Sequence, residues 1–402
     1  MRNVTEGASA APCPLRLDVT RLVHRWVRGI RPTGVDRVGL AYVRRYAGQA
    51  RAIVAIRGVP VALTHGASNR LFRLLLGASE GGGPTAPSLS ALARVLGGSG
   101  MSPYPLSWQG RETVLHTAHS GLEYSRYFRA VLSAGARTVV MVHDLIPITH
   151  PHYCRPLSVR QHASRMGTAL RFAAGIITNS QATLQALTAF ADEHGLPIPP
   201  TTVARLGVDV KPLPVSPGSD TARAHFVMVG TIEPRKNHWF ILHLWRELVA
   251  QWGNAAPQLV IVGRQGWKCA NELDMLVQCP ELRDAVVYLP DCPDATMLER
   301  LRSARALLFP SFVEGYGLPL AEALSMGVPV LASNLPVFRE VAGDVPDYLD
   351  PLDGAAWLAR IRSYAQPHSE DRERQVARVA GFRKPTWSEH FAVLESFLDR
   401  LA

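Results

Sequence analysis

The sequence predicts an α/β protein made of two doubly wound domains, and three observations support this fold class. Short aliphatic or β-branched segments recur along the 402 residues, and each is followed by a longer segment with helical spacing. Apolar strands that alternate with helices indicate parallel sheets covered on both faces. Hydrophobic residues make up 47% and charged residues 19% of the chain, which suits two cores and excludes a wholly disordered protein. A proline-rich break then divides the series into two halves.

Ten strands are predicted, each four to six residues long and rich in aliphatic side chains. In the first half they cover 15–20, 52–57, 113–118, 138–143 and 175–179. In the second half they cover 225–230, 258–263, 286–289, 306–310 and 329–332. The segments between most of them are long enough for the helices of a doubly wound fold.

The domain boundary is predicted within KPLPVSPGSDTA, residues 211–222, since three prolines without apolar periodicity are typical of a linker. We expect a first domain at 1–214 and a second at 215–385. The segment TWSEHFAVLESFL, 386–398, has helical periodicity, so residues 386–402 are expected to form a helix that crosses back to the first domain. Glycines and prolines at 77–112 predict a loop-rich excursion of the first domain.

The chain carries 43 basic and 33 acidic residues, a net charge of +10. Three kinds of anionic partner fit this excess: nucleic acid, an anionic membrane face, or phosphorylated small molecules. The arginines are dispersed and lack aromatic interleaving, which disfavours nucleic acid. The segment RLFRLLL, 70–76, fits either an interfacial membrane helix or an amphipathic helix packed on its own domain, and the sequence leaves both open.

The redox state and the location follow from patterns that the sequence lacks. None of the five cysteines belongs to a C-x-x-C pair, so we expect reduced thiols and neither a disulfide scaffold nor a zinc site. The first twelve residues have no continuous apolar centre, and no run of 18 apolar residues occurs. These features argue against a signal peptide and a membrane-spanning helix. A cytoplasmic protein is therefore expected.

The segment SFVEGYGLPLAEAL, 311–324, is the most informative place for chemistry. It follows a predicted strand, and doubly wound domains bind ligands beyond the carboxyl ends of their strands. Gly315 and Gly317 allow a ligand to approach the backbone. The N–H groups of Gly317 and Leu318 open the next helix, which has a proline in its first turn. We expect an anion to bind there.

Two carboxylates, Glu314 and Glu322, bracket that position with seven residues between them. Carboxylates accept hydrogen bonds from vicinal hydroxyls, so the pair suits a nucleotide sugar, with one carboxylate for the sugar and one for the ribose. The alternative is that Glu322 only stabilises its own helix and that Glu314 is a solvated loop residue. The residues alone leave both interpretations open.

The segment EGYGLPLAEAL resembles the signature of the retaining glycosyltransferases of family four, the group 1 glycosyltransferases. The resemblance implies the GT-B fold, in which two Rossmann-like domains, an acceptor domain and then a nucleotide-sugar domain, face a central cleft. It covers most of the chain and is closest in the second half. Further matching segments are TGVDRV at 33–38, VHDLIPITHP at 142–151, VGTIEPRKN at 229–237, LVIVGRQGW at 259–267 and MGVPVLASNLPVFREV at 326–341.

The resemblance implies that Glu314 contacts the donor sugar and that Glu322 contacts the ribose hydroxyls. Arg235 and Lys236 match the position that binds the diphosphate, where two cations stabilise the charge that grows on the leaving group. Their alternative is a solvated pair at the start of a surface helix. Many family members have an arginine where this chain has Thr231. Either Arg235 takes over that contact, or fewer charges hold the diphosphate.

Two positions in the first domain complete the predicted site. His143, at a strand end, is implied to touch the donor sugar or to orient the acceptor, and a structural role is its alternative. Gly34, in the loop after the first strand, is implied to let the backbone approach the donor phosphate. The neighbouring Asp36 and Arg37 fit a different role, to cap and flank the following helix. His119 is a further candidate for contact with the acceptor.

The implied activity is transfer of a hexose, with retention, from a nucleotide diphosphate sugar to a lipid-linked or polysaccharide acceptor. The product would be a cell-surface glycan such as lipopolysaccharide. GDP-mannose is the first expectation for the donor, followed by UDP-glucose and UDP-N-acetylglucosamine. No D-x-D motif follows a predicted strand, and neither a metal nor another cofactor is expected. An anionic membrane surface is a further expected partner, with peripheral attachment at the cytoplasmic face.

Three other classes of protein are alternatives to this function. A nicotinamide-dependent oxidoreductase needs G-x-G-x-x-G after an early strand, and neither LDVTRLVHRW nor VGTIEPRKN supplies it. A phosphorylase or an epimerase shares the GT-B fold, and its products would distinguish it. A basic nucleic-acid-binding protein would show salt-dependent retention on DNA.

Overall fold

The computed structural model describes residues 15–80, 101–102, 112–209 and 223–401. The predicted linker at 211–222 lies outside the described residues. So do Cys13 and the parts 81–100 and 103–111 of the predicted loop-rich excursion. All ten predicted strands are present, and each boundary agrees to within two residues.

The described residues of the first domain form an eight-stranded sheet. Its strands are β1 (Leu15–Asp18), β2 (Arg51–Ile56), β3 (Val59–Leu63), β4 (Met101–Ser102), β5 (Thr113–His116), β6 (Arg137–Val142), β7 (Gly175–Thr178) and β8 (Thr201–Val203). The spatial order is β4-β3-β2-β1-β5-β6-β7-β8. The pairs β2–β3 and β3–β4 at one end are antiparallel, and all other neighbouring strands are parallel.

The second domain has a six-stranded sheet in its described residues, and all of its neighbouring strands are parallel. Its strands are β9 (His225–Val229), β10 (Gln258–Val262), β11 (Val286–Leu289), β12 (Leu307–Phe309), β13 (Val330–Ser333) and β14 (Asp347–Leu349). The spatial order is β11-β10-β9-β12-β13-β14. Parallel strands alternating with helices confirm the α/β prediction.

Helices cover both sheets. The first-domain helices are α1 (Thr20–Val27), α2 (Gly34–Tyr46), α3 (His65–Glu80), α4 (Ser125–Ser133), α5 (Ile146–Thr149), α6 (Pro156–Phe172) and α7 (Gln181–Glu193). The helices after β9 are α8 (His238–Trp252), α9 (Ala270–Gln278), α10 (Asp294–Arg302), α11 (Leu318–Ser325), α12 (Pro336–Ala342), α13 (Gly354–Ala365), α14 (Glu370–Ala380) and α15 (Trp387–Leu401).

Four strands that the sequence did not predict lie at the ends of the sheets or, for β3, next to an end: β3, β4, β8 and β14. They are two to five residues long. β3 follows a turn at Arg57 and Gly58 and folds back on β2 as a hairpin. Strands at the end of a sheet are often short, so they lack the long apolar run that reveals a central strand.

The carboxyl ends of the parallel strands in the two sheets face one another across a cleft. His143 follows β6, and Gly315 follows β12. A Cβ on Gly315 would lie 2.5 Å from the His143 carbonyl oxygen. Further along the cleft, the N–H of Gln181, after β7, donates to Glu340 of the second domain at 2.8 Å. The loops that were predicted to carry chemistry therefore meet at the domain interface.

The last helix, α15, packs on the first domain. His390 Nε2 lies 2.8 Å from the Tyr42 hydroxyl of α2. A Cβ on Gly207 would lie 2.3 Å from the backbone nitrogen of Trp387, so only glycine allows this approach. The helix buries Phe391, Leu394, Phe397 and Leu398. These contacts tie the C-terminal end of the described chain to the first sheet.

The segment 70–76 lies in α3. Leu71, Phe72 and Leu75 are buried in the core of the first domain. The structure therefore supports the alternative of a helix packed on its own domain, because the apolar side chains that membrane insertion needs are already in the core. In the described part of the chain, no helix combines the length and the hydropathy needed to cross a bilayer.

Candidate functional site

Glu314 lies at the domain interface with both carboxylate oxygens engaged. It follows β12, and its side chain is only 8% exposed. Oε1 accepts hydrogen bonds from Lys236 Nζ and, at 2.9 Å, from Ser311 Oγ. Oε2 pairs with Arg235 Nη1 at 2.8 Å. The interpretation of Glu314 as a solvated loop residue is therefore wrong, and three predicted site residues form one cluster.

Arg235 and Lys236 are presented by a 3-10 turn, Pro234–Lys236, that follows β9. Asn237 ends this turn with a φ of 59°, which asparagine tolerates better than most residues. The Lys236 ammonium lies 4.8 Å from the centroid of the Phe309 ring, and its side chain is 9% exposed. The alternative of a solvated basic pair is therefore wrong for Lys236.

The surroundings of Thr231 differ from those of the cations. A Cβ on Gly266 would lie 2.6 Å from Thr231 Cγ2, so the threonine packs against the loop after β10. Arg235 pairs with Glu233 at 2.6 Å and donates to the Val313 carbonyl at 3.1 Å. Many members of the family that the sequence resembles have an arginine in place of Thr231. That Arg235 takes over its contact with the diphosphate, or that fewer charges hold the diphosphate, stays a prediction.

Burial and neighbouring charges shift the pKa values of Glu314 and Lys236 in opposite directions. Burial alone would raise the pKa of Glu314, but Arg235 and Lys236 outweigh it and hold the pKa at about 2. Burial lowers the pKa of Lys236, and Glu314 opposes that shift. An ionised Glu314 thus holds two cations in fixed positions before a substrate arrives, and fixed charges of this kind stabilise developing negative charge.

We expect this cluster to make stability depend on acid pH. A carboxyl group whose pKa falls from 4.5 in the unfolded chain to about 2 in the fold stabilises the protein above pH 4.5 and loses that contribution as the pH falls. Between pH 5.5 and 3.5, the free energy of unfolding should fall by about 1.4 kcal/mol more than in Glu314→Gln. Urea denaturation at several pH values measures this difference, and parallel pH profiles would contradict it.

The start of α11 supplies N–H groups next to the cluster. Gly317 has a φ of 100°, and a Cβ there would lie 2.8 Å from the Phe338 ring, so both backbone and packing require glycine. Among the described residues, none accepts a hydrogen bond from the N–H of Gly317 or Leu318. The Phe309 ring contacts both this turn and Lys236. The predicted anion position is therefore next to the cations.

The first domain approaches the same helix through α2. A Cβ on Gly34 would lie 3.5 Å from Leu318 Cδ1. Glu322, one turn further along α11, is buried and forms an ion pair with Arg37 of α2. Glu322 thus does more than stabilise its own helix. A ribose hydroxyl would share this carboxylate with Arg37, and the ribose contact stays a prediction.

Asp36 fixes the start of α2. Its carboxylate accepts the Thr33 N–H at 2.7 Å and pairs with Arg21 at 2.7 Å and Arg25 at 2.8 Å. The capping role predicted for Asp36 is therefore confirmed. Arg37, expected to flank the same helix, instead reaches across the interface to the second domain.

His143 is held at the carboxyl end of β6 by three hydrogen bonds. Nε2 donates to the Thr117 carbonyl at 2.8 Å, the N–H donates to His119 Nε2 at 3.0 Å, and the carbonyl accepts from Asn179 Nδ2 at 2.9 Å. Burial lowers the pKa of His143, which favours a neutral ring. The residue lies against Gly315, next to Glu314. Its contact with a sugar stays a prediction.

His119 supports the backbone of this strand end. Besides accepting the His143 N–H, its ring lies 4.8 Å from the ring of His162. His162 Nε2 donates to the Asp144 carbonyl at 3.0 Å. Burial lowers the pKa of His119 and so favours the neutral form that can accept a hydrogen bond. The structure thus shows a positioning role for His119, and its acceptor contact stays a prediction.

Several contact residues were not predicted from the sequence. Ser311 lies within the motif itself, and its hydroxyl, three residues before Glu314, was a detectable signal. Ser180, after β7, donates to the Gly315 carbonyl at 3.2 Å. The pairing of Arg37 with Glu322 was not predicted either. These two residues are 285 positions apart, so no local pattern connects them.

The assembled site can bind a phosphorylated ligand. Its donors are Arg235, Lys236 and the N–H groups of Gly317 and Leu318, and groups of these kinds bind phosphate in proteins. The described residues contain no group of three or more His, Cys, Asp or Glu side chains arranged to hold a metal ion.

Residues 210–348 match the family described as glycosyl transferases group 1. The serotype-specific mannosyltransferase WbdA of Escherichia coli is 32% identical over 277 residues, which are 63% of this chain and 34% of that protein. The O-antigen chain mannosyltransferase B of Escherichia coli is 35% identical over 159 residues, 40% of each chain. The chain thus spans about a third of the length of WbdA.

Two solved structures of Anabaena Alr3699/HepE have a similar fold. The complex with UDP-glucose matches with a TM-score of 0.64 and 16% identity, covering 96% of this chain and 99% of that one. The complex with UDP matches with a TM-score of 0.60 and 18% identity over the same shares. This agreement confirms the predicted fold class, the GT-B arrangement of two Rossmann-like domains facing a cleft.

Proposed function

We propose that the protein is a group 1 glycosyltransferase that moves a hexose from a nucleotide diphosphate sugar to a glycan acceptor, with retention of anomeric configuration. One observation carries the proposal. Glu314, Arg235 and Lys236 form a buried cluster beside free N–H groups at a helix start and next to the strand end that bears His143. The family match at residues 210–348 and the mannosyltransferase relatives support the same activity.

The relatives also guide the choice of substrates. GDP-mannose is our first proposal for the donor, because WbdA and two O-antigen chain proteins are mannosyltransferases by name. UDP-glucose comes next, since HepE is seen in complex with it, and UDP-N-acetylglucosamine follows. The O-antigen relatives support a lipid-linked or polysaccharide acceptor in cell-surface glycan synthesis. We place the reaction in the cytoplasm, at an anionic membrane surface.

The site residues have distinct tasks in the proposed reaction. Lys236, Arg235 and the helix start hold the diphosphate, and their charge stabilises the negative charge that grows as the glycosidic bond breaks. Glu314 holds both cations in place. The leaving phosphate oxygen takes the proton of the acceptor hydroxyl on the same face of the sugar, so no separate general base is required. His143, neutral and fixed by its backbone contacts, orients the donor sugar.

We expect nucleotide sugars to stabilise the protein and to support transfer without added metal. A ligand at a hundred times its Kd adds about 2.7 kcal/mol to the free energy of unfolding, which a thermal-shift panel detects. Release of nucleoside diphosphate in the presence of an acceptor should proceed equally with EDTA, because side chains and N–H groups supply the positive charge.

The same assay separates the alternatives. Free sugar phosphate as the product would indicate a phosphorylase, and an altered free nucleotide sugar would indicate an epimerase. A panel in which no nucleotide sugar raises the Tm would overturn the proposal. Activity that EDTA abolishes and a divalent cation restores would overturn its metal-independent form.

A further inference from the structure

The first domain carries the positive charge of the chain. Residues 1–214 contain 24 basic and 10 acidic side chains, a net charge of +14. Residues 215–402 contain 19 basic and 23 acidic side chains, a net charge of −4. No acidic residue occurs at 37–79 or at 124–143. An anionic partner outside the cleft would therefore meet the first domain.

One exposed surface in this domain combines apolar and basic side chains. At the tip of the β2–β3 hairpin, Ile56 is 68% and Val59 48% exposed. The two residues between them, Arg57 and Gly58, have φ values of 49° and 78°, as a tight two-residue hairpin turn requires. Asparagine or glycine suits the first of these positions better, so the arginine places a cation at the tip at a conformational cost.

A loop and the start of α4 extend this surface. Tyr124 is 37% exposed, and a Cβ on Gly58 would lie 2.3 Å from Tyr124 Cβ, so the loop packs tightly on the hairpin. Arg126 donates to the Arg57 carbonyl and lies 5.0 Å from the centroid of the Tyr124 ring. Arg129 is exposed one turn further along α4.

These six residues form the hairpin patch: Ile56, Arg57, Val59, Tyr124, Arg126 and Arg129. The nearest acidic side chain in sequence, Glu123, pairs with Arg165 at 2.8 Å. Contacts between the hairpin, the loop and α4 fix the patch as one surface.

The hairpin patch lies at the carboxyl edge of the first sheet, the edge that faces the cleft. β2 pairs Ile53 with the last residue of β1, Asp18, and continues three residues beyond it. At about 3.3 Å per residue, the tip projects about 10 Å past that edge. Three strand spacings, about 14 Å, separate β2 from β6, which leads into His143. A surface that binds the hairpin patch would therefore lie near the mouth of the site.

We propose that the hairpin patch docks on the anionic surface of a lipid bilayer and so presents the cleft to a lipid-linked acceptor. The patch projects at a hairpin tip, and its apolar side chains alternate with cations, a combination that favours insertion between anionic headgroups. The net charge of the domain complements such a surface. This inference rests on the proposed function only for the identity of the acceptor.

Vesicle binding of the full chain tests the docking. The patch variant is Ile56→Thr/Arg57→Asn/Val59→Thr, which keeps strand-forming residues and gives the turn a residue suited to positive φ. Its matched control, Val277→Thr/Arg283→Asn/Leu352→Thr, removes the same kinds of exposed side chain from the second domain, where Val277 is 76% and Leu352 74% exposed.

The wild type and the control should bind vesicles of phosphatidylcholine and phosphatidylglycerol mixed in about a 2:1 ratio, and bind pure phosphatidylcholine vesicles much less. The patch variant should bind the mixed vesicles at least about tenfold more weakly, since one cation near an anionic leaflet already accounts for about fivefold. Raised salt should weaken binding of the wild type.

Each other outcome has a defined meaning. Equal vesicle binding by the wild type and the patch variant overturns the docking proposal, and so does binding that ignores headgroup charge. A shift in solution mass between the wild type and the patch variant, without vesicle binding, would assign the patch to self-association instead.

Donor-induced stabilisation and transfer to a water-soluble acceptor should be unchanged in the patch variant, because no patch residue belongs to the cluster around Glu314. If the patch variant loses vesicle binding but keeps donor binding, the result supports the docking proposal separately from the proposed function. Vesicle binding without any response to nucleotide sugars would overturn the proposed function and leave the patch standing.

Discussion

Replacing Glu314 by glutamine is expected to lower kcat/KM for sugar transfer by about a thousandfold, which corresponds to about 4 kcal/mol of lost transition-state stabilisation. The carboxylate fixes Lys236 through Oε1 and Arg235 through Oε2. Glutamine keeps the shape but removes the charge, so the two cations lose their common anchor. Steady-state kinetics with the donor found in the thermal-shift panel measures the loss.

Two further variants show whether the loss arises in the cluster. Lys236→Met leaves Glu314 paired with Arg235 and should also reduce transfer at least about a hundredfold. Glu340→Gln alters another carboxylate of the domain interface, which accepts the Gln181 N–H at 2.8 Å, and should stay within about threefold of the wild type, because an amide oxygen can still accept. Turnover of a folded Glu314→Gln protein near the wild-type rate would refute the site.

Glutamine is preferred to alanine for a physical reason. Removing the side chain of Glu314 would leave two cations without their partner in a buried position, and breaking a buried pair costs about 3–5 kcal/mol. An inactive alanine variant would then be hard to distinguish from an unfolded one. An alanine substitution at Glu314 or at Lys236 is informative only when the unfolding transition of the variant is also measured.

Replacing Phe397 by alanine is expected to lower the free energy of unfolding of the first domain by about 4 kcal/mol. The side chain is 2% exposed, and its ring would lie 2.9 Å from a Cβ on Gly175 of β7, so α15 is packed tightly on the first sheet. Urea denaturation of the wild type and the variant measures the change.

The same helix offers a matched control. Val393 is 39% exposed on α15, so Val393→Ala should change the free energy of unfolding by less than about 1 kcal/mol. A small effect of Phe397→Ala, equal to that of the control, would mean that the helix contributes little to the first domain. A large effect would show that the last residues of the described chain stabilise its first domain.

The residues of the motif at 311–324 could be predicted because they lie close together in the sequence. Glu314, Gly315 and Gly317 lie in one short segment after a strand, and the carboxyl ends of parallel strands share an edge, which places Lys236 nearby. The burial of this cluster could not be read from the segment. A loop with two glycines and a carboxylate fits solvent equally well until Arg235 and Lys236 pair with the carboxylate and His143 of the first domain lies against Gly315.

The segment 70–76 shows the opposite case. Its mixture of arginines and apolar side chains fits a membrane surface or a core equally well, because amphipathic periodicity marks a buried face without saying what covers it. The fold buries Leu71, Phe72 and Leu75. The fold also leaves Ile56 and Val59 exposed at a hairpin tip. In the sequence, these two residues look like part of an ordinary apolar strand segment.

The sequence by itself determined the two mainly parallel sheets, the place of their loops and the residue types that are predicted to meet a phosphorylated ligand, since these depend on short-range periodicity and spacing. The excess of positive charge was also evident from composition. Tertiary structure alone decided that Arg37 pairs with Glu322, that His119 holds the His143 backbone, and that apolar and basic side chains meet at one hairpin. Such contacts join residues tens to hundreds of positions apart, and only the packing of the elements brings them together.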